Sequence, residues 1–317
     1  MLEIKNLSLT YTAATTAVES FSASVEAGER LAVLGGSGAG KTSLLKCLAG
    51  LYPATAGSVV LDGVDITLAK PRERGVQMIF EDLGLAPWQR LVGNMKSVLR
   101  LQGVTGKEAT ARLERLFAEF RLTPVAWDRA RTLSDTDAVR AGFLRTKLRD
   151  AKIVLIDNPF KKCAGLRAEM FEDMLPHMET VTVRGGTCIF ATDSVEEAFS
   201  FSDKIAFMHF GVLEQLGTRT ELKDSPASLV VDVTVNPERS VMDRGGEIVT
   251  ALYEETEDGG VYNVVGTRYV EGRLFALSHG GIAVRLKDFT VGKTVRARQV
   301  GEIRRYNKID EKRILEE

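Results

Sequence analysis

The 317-residue sequence has only three cysteines, and Cys47, Cys163 and Cys188 lie far apart, with neither zinc nor redox spacing. A disulfide-stapled scaffold is therefore excluded, and the three read as independent cytoplasmic thiols. Histidine is equally scarce: His177, His209 and His279 have no companions at metal-ligand spacing and read as structural or surface residues. No run approaches the roughly 18–20 apolar residues that cross a bilayer. The opening MLEIKNLSLTY alternates like a strand and lacks a basic-then-apolar signal segment, so work at a membrane is expected only through docking to an embedded partner. Neither sign of charge dominates. With 42 basic and 43 acidic side chains, the net charge of -1 gives no support for a nucleic-acid partner. The RARQVGEIRRYNKIDEKR run interleaves bases with acids, as a solvated face does.

What is present is ordinary globular material, 44% hydrophobic and 27% charged, in a chain long enough for one large domain and a smaller one. Residues 2–11 and 18–25 alternate as strands, LAVLGG (31–36) is a buried strand entering a glycine loop, and TSLLKCLAGL (42–51) has helical spacing. GSVVLDG is a strand closed by Asp62-Gly63. From Pro87 to about 150 the pattern is helical, with Thr105 an N-cap candidate and Glu108 three positions later. KIVLID (152–157) and TCIFAT (187–192) are compact apolar strands, EEAFSFSDKIAFM a helix leading to a strand, and GVLEQLG a hairpin return. Buried strands alternating with helices predict an α/β core with a largely parallel sheet, carrying an inserted helical subdomain at about 87–150. After about 235 short strand-like segments separated by Gly-containing turns predict a small all-β domain over 236–317, ending in a frayed polar tail or short helix.

Gly35, Gly36, Ser37, Gly38, Ala39, Gly40, Lys41 and Thr42 satisfy G-x-x-x-x-G-K-[ST] between an apolar strand and a helix, with Ser43 following. The context makes mechanical sense. Glycines let successive backbone N–H groups turn toward phosphates, the helix N-terminus adds its positive end, Lys41 meets the β- and γ-phosphates, and Thr42 offers a hydroxyl to Mg²⁺. Asp157, at the mouth of the apolar run 153–156, is placed to hold the Mg²⁺ shell. A P-loop NTPase core binding Mg-ATP is the expectation.

With these motifs the chain resembles the ATPase subunits of ABC importers, especially those with a C-terminal β-rich (OB- or TOBE-like) regulatory domain, as in sugar, polyamine and ferric-ion uptake. The resemblance spans residues 1–230 and is weaker over 236–317. It implies domains at 1–235 and 236–317, a second nucleotide-binding subunit facing the first head to tail, and transmembrane permease subunits, with an extracytoplasmic solute-binding protein reached through them. The location implied is peripheral, on the inner face of the cell membrane. Tyr11 corresponds to the aromatic residue that stacks on adenine. MHFGVLEQLGTRTEL corresponds to the family's closing hairpin and helix, with Arg219 in place of the usual proline. Family subunits meet the permease through the helical interval and the Glu81 position, where Trp88 and Leu91 are candidate surface residues with core packing as the alternative.

The departures concentrate on hydrolysis. Asn158 stands where the family has its catalytic glutamate, and an amide cannot take up a proton from water. Asp193 stands where the switch histidine belongs, and a carboxylate there repels a terminal phosphate instead of donating to it. Glu81 replaces a Mg²⁺-contacting glutamine and can still reach a metal. Leu133-Ser134-Asp135-Thr136-Asp137 replaces the LSGGQ signature, leaving Ser134 as its remaining donor to the opposite nucleotide. KKCAGLR lacks the interface-loop aspartate. The implied protein is a degenerate ATP-binding subunit that supports or regulates an importer. Two alternatives stay open: a nucleotide-gated scaffold that powers no transport, and a slow ATPase using an unconventional water-orienting group such as Asp193.

Overall fold

The computed structural model describes residues 1–317 apart from 13–14, 150, 244–246, 271–272, 279–282, 286–293, 308–312 and 315–317. His279 and most of the polar tail lie outside the described residues. The chain divides into two compact units, Met1–Leu216 and Gly217–Glu317.

The first unit begins with three antiparallel strands, β1 (Leu2–Thr12), β2 (Thr15–Val25) and, farther along, β4 (Ala56–Leu61). Between them lie β3 (Arg30–Leu34) and α1 (Lys41–Leu48); β5 (Val64–Asp65) returns on β4 through Asp62 and Gly63, whose positive φ values of 50° and 79° suit a tight hairpin turn. Then follow β6 (Val76–Ile79), α2 (Leu91–Leu101), α3 (Gly106–Glu119), α4 (Asp135–Lys147), β7 (Ile153–Asp157), α5 (Arg167–Val183), β8 (Thr187–Thr192), α6 (Val195–Phe201), β9 (Lys204–His209) and β10 (Val212–Gly217). The strands form one sheet in the order β5-β4-β1-β2-β10-β9-β3-β8-β7-β6. From β9 to β6 the pairings β9–β3, β3–β8, β8–β7 and β7–β6 are all parallel.

The continuous apolar runs belong to central strands of the parallel part of the sheet. Every residue of β7 and β8 is buried, as a parallel strand covered on both faces requires, whereas β1 alternates. Fully burying one side chain such as Leu155 or Phe190 stabilises the fold by about 1.5–3 kcal/mol. The expected helical interval is α2, α3 and α4 with short 3-10 turns between them. In α3, Ala109, Leu113, Leu116 and Phe117 make the buried stripe. Thr105 occupies its N-cap position but makes no side-chain cap bond, so the box with Glu108 does not form there. Of the two candidate surface residues, Leu91 is fully buried in the helical core and Trp88 is 72% exposed. His177 packs against Phe120 with ring centroids 4.1 Å apart, a structural role, as expected.

The second unit opens with α7 (Arg219–Asp224) and α8 (Leu229–Val235), both before the boundary expected at 235. Thr218 and Glu221 form a complete capping box on α7, which bears the Arg219 that stands in place of proline. A six-stranded sheet follows from β11 (Ser240–Asp243), β12 (Glu247–Val270), β13 (Arg273–Ser278), β14 (Ala283–Arg285), β15 (Thr294–Asn307) and β16 (Arg313–Ile314). The tail residues Arg313 and Ile314 pair with β15 as a strand, where a frayed end or helix was expected, because Arg305 and Tyr306 offer them an open sheet edge. Asp232 of α8 is fully buried within this unit and accepts from Arg304 Nη1 at 2.6 Å, Tyr306 Oη at 2.9 Å and Asn236 Nδ2 at 2.8 Å.

Candidate functional site

The parallel strands β3, β7 and β8 deliver the loop before α1, Asp157 and Asp193 to one cleft. It has a volume of about 520 Å³ and is lined by residues from Ser37 to Ser43, together with Thr15–Ala17, Glu81, Asp157, Asn158, Lys161, Asp193, Phe210 and Gly211. Two glycines of the loop leave no room for a side chain. A Cβ on Gly35 would stand 2.3 Å from the Met208 carbonyl oxygen; one on Gly40, where φ is +96°, would stand 2.3 Å from that of Ala17. Gly211 N donates to Ala39 O at 3.1 Å and Gly35 N to Thr192 O at 3.3 Å, anchoring the loop to β8 and to the β9–β10 turn.

Lys41 is buried, and its ammonium donates to the Gly35 and Gly36 carbonyls at 2.6 and 2.8 Å. Burial lowers its pKa, against the pull of Asp193 and Asp157. Thr42 Oγ1 donates to Asp157 Oδ1 at 3.0 Å, bringing together the hydroxyl and carboxylate expected of a Mg²⁺ site. Burial raises the Asp157 pKa, opposed by the Thr42 hydrogen bond. No cluster of three or more acidic, histidine or cysteine side chains at metal-binding geometry occurs among the described residues. The donor set therefore fits a magnesium ion that keeps oxygen ligands from phosphates and water, not an all-protein cage. Glu81 lies across the cleft, with Oε1 2.9 Å from Lys161 Nζ.

At the other end Asn158 is buried with φ +40°, a left-handed conformation that asparagine tolerates better than most residues, and its N–H donates to Ala191 O at 2.9 Å. Its Oδ1 accepts from Arg167 Nη2 at 3.2 Å. The same Nη2 lies 2.6 Å from Asp193 Oδ1, while Arg167 Nε donates to Glu197 Oε1 at 2.6 Å. The Thr192 hydroxyl also meets Glu197, which is buried. Burial alone would raise the Asp193 pKa; the hydrogen bond and charge of Arg167, with the Asn158 side chain, outweigh it and hold the carboxyl below its usual value.

Four expected residues stand outside the lining of this cleft: Gly35 and Gly36, whose carbonyls accept from Lys41, and Tyr11 and Ser134. Tyr11 is 47% exposed; its hydroxyl lies 2.9 Å from Ser43 Oγ, and its ring meets Tyr52 edge-on at 5.4 Å. Ser134 caps α4, accepting from Asp137 N at 3.1 Å and donating its proton to Asp137 Oδ2 at 2.7 Å. Arg167 and Lys161 were missed by sequence reasoning. Arg167 gives no local signal, since its partners Asp193 and Glu197 are distant in sequence. The Ser134–Asp137 bond had one: S-x-x-D opening a helix.

A sequence model of the ABC transporter family matches residues 18–161. The chain is 33% identical over 214 residues to a spermidine/putrescine import ATP-binding protein, PotA, of Nitrosomonas eutropha, covering 67% of this chain and 58% of that protein. It is 29% identical over 279 residues to an sn-glycerol-3-phosphate import ATP-binding protein, UgpC 1, of Rhizobium johnstonii, covering 84% and 75% respectively. The chain thus spans little more than half the length of the PotA relatives it matches. Among solved structures, a dimeric ATP-binding cassette in a post-hydrolysis state bound to ADP and Pi shares the fold over 69% of this chain and 98% of that one, with TM-score 0.63 and 21% identity.

Proposed function

Because this chain belongs to the ABC transporter family of importer-type ATP-binding proteins, we propose that it binds Mg-ATP in the cleft around Lys41 with little or no hydrolysis, as the degenerate nucleotide-binding subunit of an importer. The observation that carries this reading is the Asn158–Arg167–Asp193 constellation. The phosphate side has its parts: a loop with glycine where Gly35 and Gly40 leave no room for a Cβ, the Lys41 ammonium, and the Thr42–Asp157 pair. A magnesium ion would neutralise phosphate charge there, held by Thr42 and Asp157 with Glu81 in reach. The water side has an amide and an arginine-bound carboxylate. Asn158 can orient a water molecule but cannot remove its proton, and Asp193 is kept ionised by Arg167 and has no proton to donate. Losing general base assistance alone costs about 10²- to 10⁴-fold in rate.

In this reading the subunit works against a second nucleotide-binding subunit, beneath transmembrane permease subunits that an extracytoplasmic solute-binding protein serves. Among the described residues no helix is long and apolar enough to cross a membrane; the proposed attachment is peripheral, through the permease. Ser134 favours a second reading, a nucleotide-gated regulatory scaffold: its hydroxyl is already given to Asp137, with Asp135 and Asp137 in the first turn of α4, which weakens its grip on an opposite nucleotide. Equilibrium titration with ATP, with and without Mg²⁺, tests the binding claim. Wild type is expected to bind and Lys41→Ala to lose most affinity; wild type without affinity would sink it. Co-purification with a permease and a competent ATPase separates the subunit from the scaffold.

A further inference from the structure

Two ammonium groups face the nucleotide cleft, Lys41 from the loop before α1 and Lys161 from the segment after β7. Each is occupied on its own chain, Lys41 by the Gly35 and Gly36 carbonyls and Lys161 by Glu81 at 2.9 Å. The three carboxylates lining the cleft are satisfied differently. Asp157 takes the Thr42 hydroxyl, and Asp193 takes Arg167, which is not part of the lining. Glu81 alone is paired with a cation that itself lines the cleft. That pair is half-exposed on both sides, and ion pairs of this kind are weak and readily exchanged. The charge of Lys161 is felt by Lys41, Asp157 and Asp193, so these groups share one electrostatic space.

We propose that Lys161 is a ligand for the terminal phosphate of a bound nucleoside triphosphate, held by Glu81 until Glu81 turns to the divalent cation. The inference rests on the Mg-ATP reading above and deepens it. The terminal-phosphate end carries Asp193, an acceptor pinned by Arg167, where a donor is needed. Lys161 brings that donor and a positive charge from a flexible, solvent-reaching side chain, while Glu81 matches the hard oxygen preference of Mg²⁺. The exchange leaves neither group unpaired.

The test is calorimetric titration of the full chain with ATP and with ADP, each in Mg²⁺ and in EDTA, for wild type, Lys161→Met, Glu81→Gln and the double variant. Lys161→Met is expected to weaken Mg-ATP at least about tenfold while leaving Mg-ADP within about twofold, as loss of one charge-assisted contact to the third phosphate would. In EDTA, Glu81→Gln is expected to tighten ATP by releasing Lys161, and the double variant to lose that gain. Equal effects of Lys161→Met on both nucleotides, or none on either, would overturn the Lys161 assignment while leaving the Mg-ATP reading standing. A wild-type chain that binds neither nucleotide would overturn both.

Discussion

Arg167 Nη2 lies 2.6 Å from Asp193 Oδ1 and 3.2 Å from Asn158 Oδ1, so the two positions proposed to lack the base and the imidazole of hydrolysis are tied to one guanidinium. The same arginine also balances the buried Glu197. The ends of β7 and β8 and the helix α6 therefore meet at a single cation, and changes there should be strongly coupled.

Restoring one residue is expected not to restore the reaction. In Asn158→Glu the new carboxylate faces Arg167, which would hold it as an ion pair, and a φ of +40° costs a glutamate about 1–2 kcal/mol. Phosphate release should rise less than about tenfold, well short of the full contribution of a general base. Asn158→Glu with Asp193→His should exceed it. A steady-state phosphate assay on the two variants checks the order; full activity in the single variant would refute the coupling.

Arg167→Met is expected to destabilise the first unit by about 3–5 kcal/mol, because it strands the buried Glu197 carboxylate. Adding Glu197→Gln should recover more than half of the loss. Urea unfolding followed by circular dichroism measures both. Additive losses would mean that Arg167 and Glu197 do not balance each other.

Glycine substitutions in the loop should rank by what the new Cβ meets. Gly40→Ala forces a contact with the Ala17 carbonyl, whereas the same methyl at Gly38 points into open space. Both have positive φ and share a backbone penalty of about 1–2 kcal/mol. Nucleotide affinity should therefore fall further in Gly40→Ala than in Gly38→Ala. Titration with ATP decides it.

The three cysteines are free and buried, and burial pushes the Cys188 thiol up to about 12. Since the thiolate is the reactive form, Cys188 contributes almost none at neutral pH, and reactivity should begin only as the pH approaches that value or the fold opens. A thiol-reactive chromophore should titrate no cysteine promptly in native protein at pH 7 and three in denaturant. Prompt native labelling would contradict the packing.

The phosphate loop was legible because its residues are contiguous and stand between an apolar strand and a helix. Asp157, Asn158 and Asp193 were legible because each ends or follows a compact buried strand, and the structure brings all three to one cleft. Arg167 and Lys161 were not, since their meaning comes from partners on other elements: Asp193 and Glu197 for one, Glu81 for the other. Thr105 shows the opposite error, a capping pattern whose side-chain bond does not form, while the box at Thr218 and Glu221 went unread. Local pattern specifies where a chain turns; which side chains meet depends on packing that no window of sequence contains.

The most direct test is a single Mg-ATP titration in which bound nucleotide and released phosphate are followed together, for the purified chain alone and then with whatever proteins co-purify with it. Stoichiometric binding is expected, with almost no phosphate released by the chain alone. Steady release from the isolated chain, at rates typical of a competent ATPase and abolished by Lys41→Ala, would contradict it.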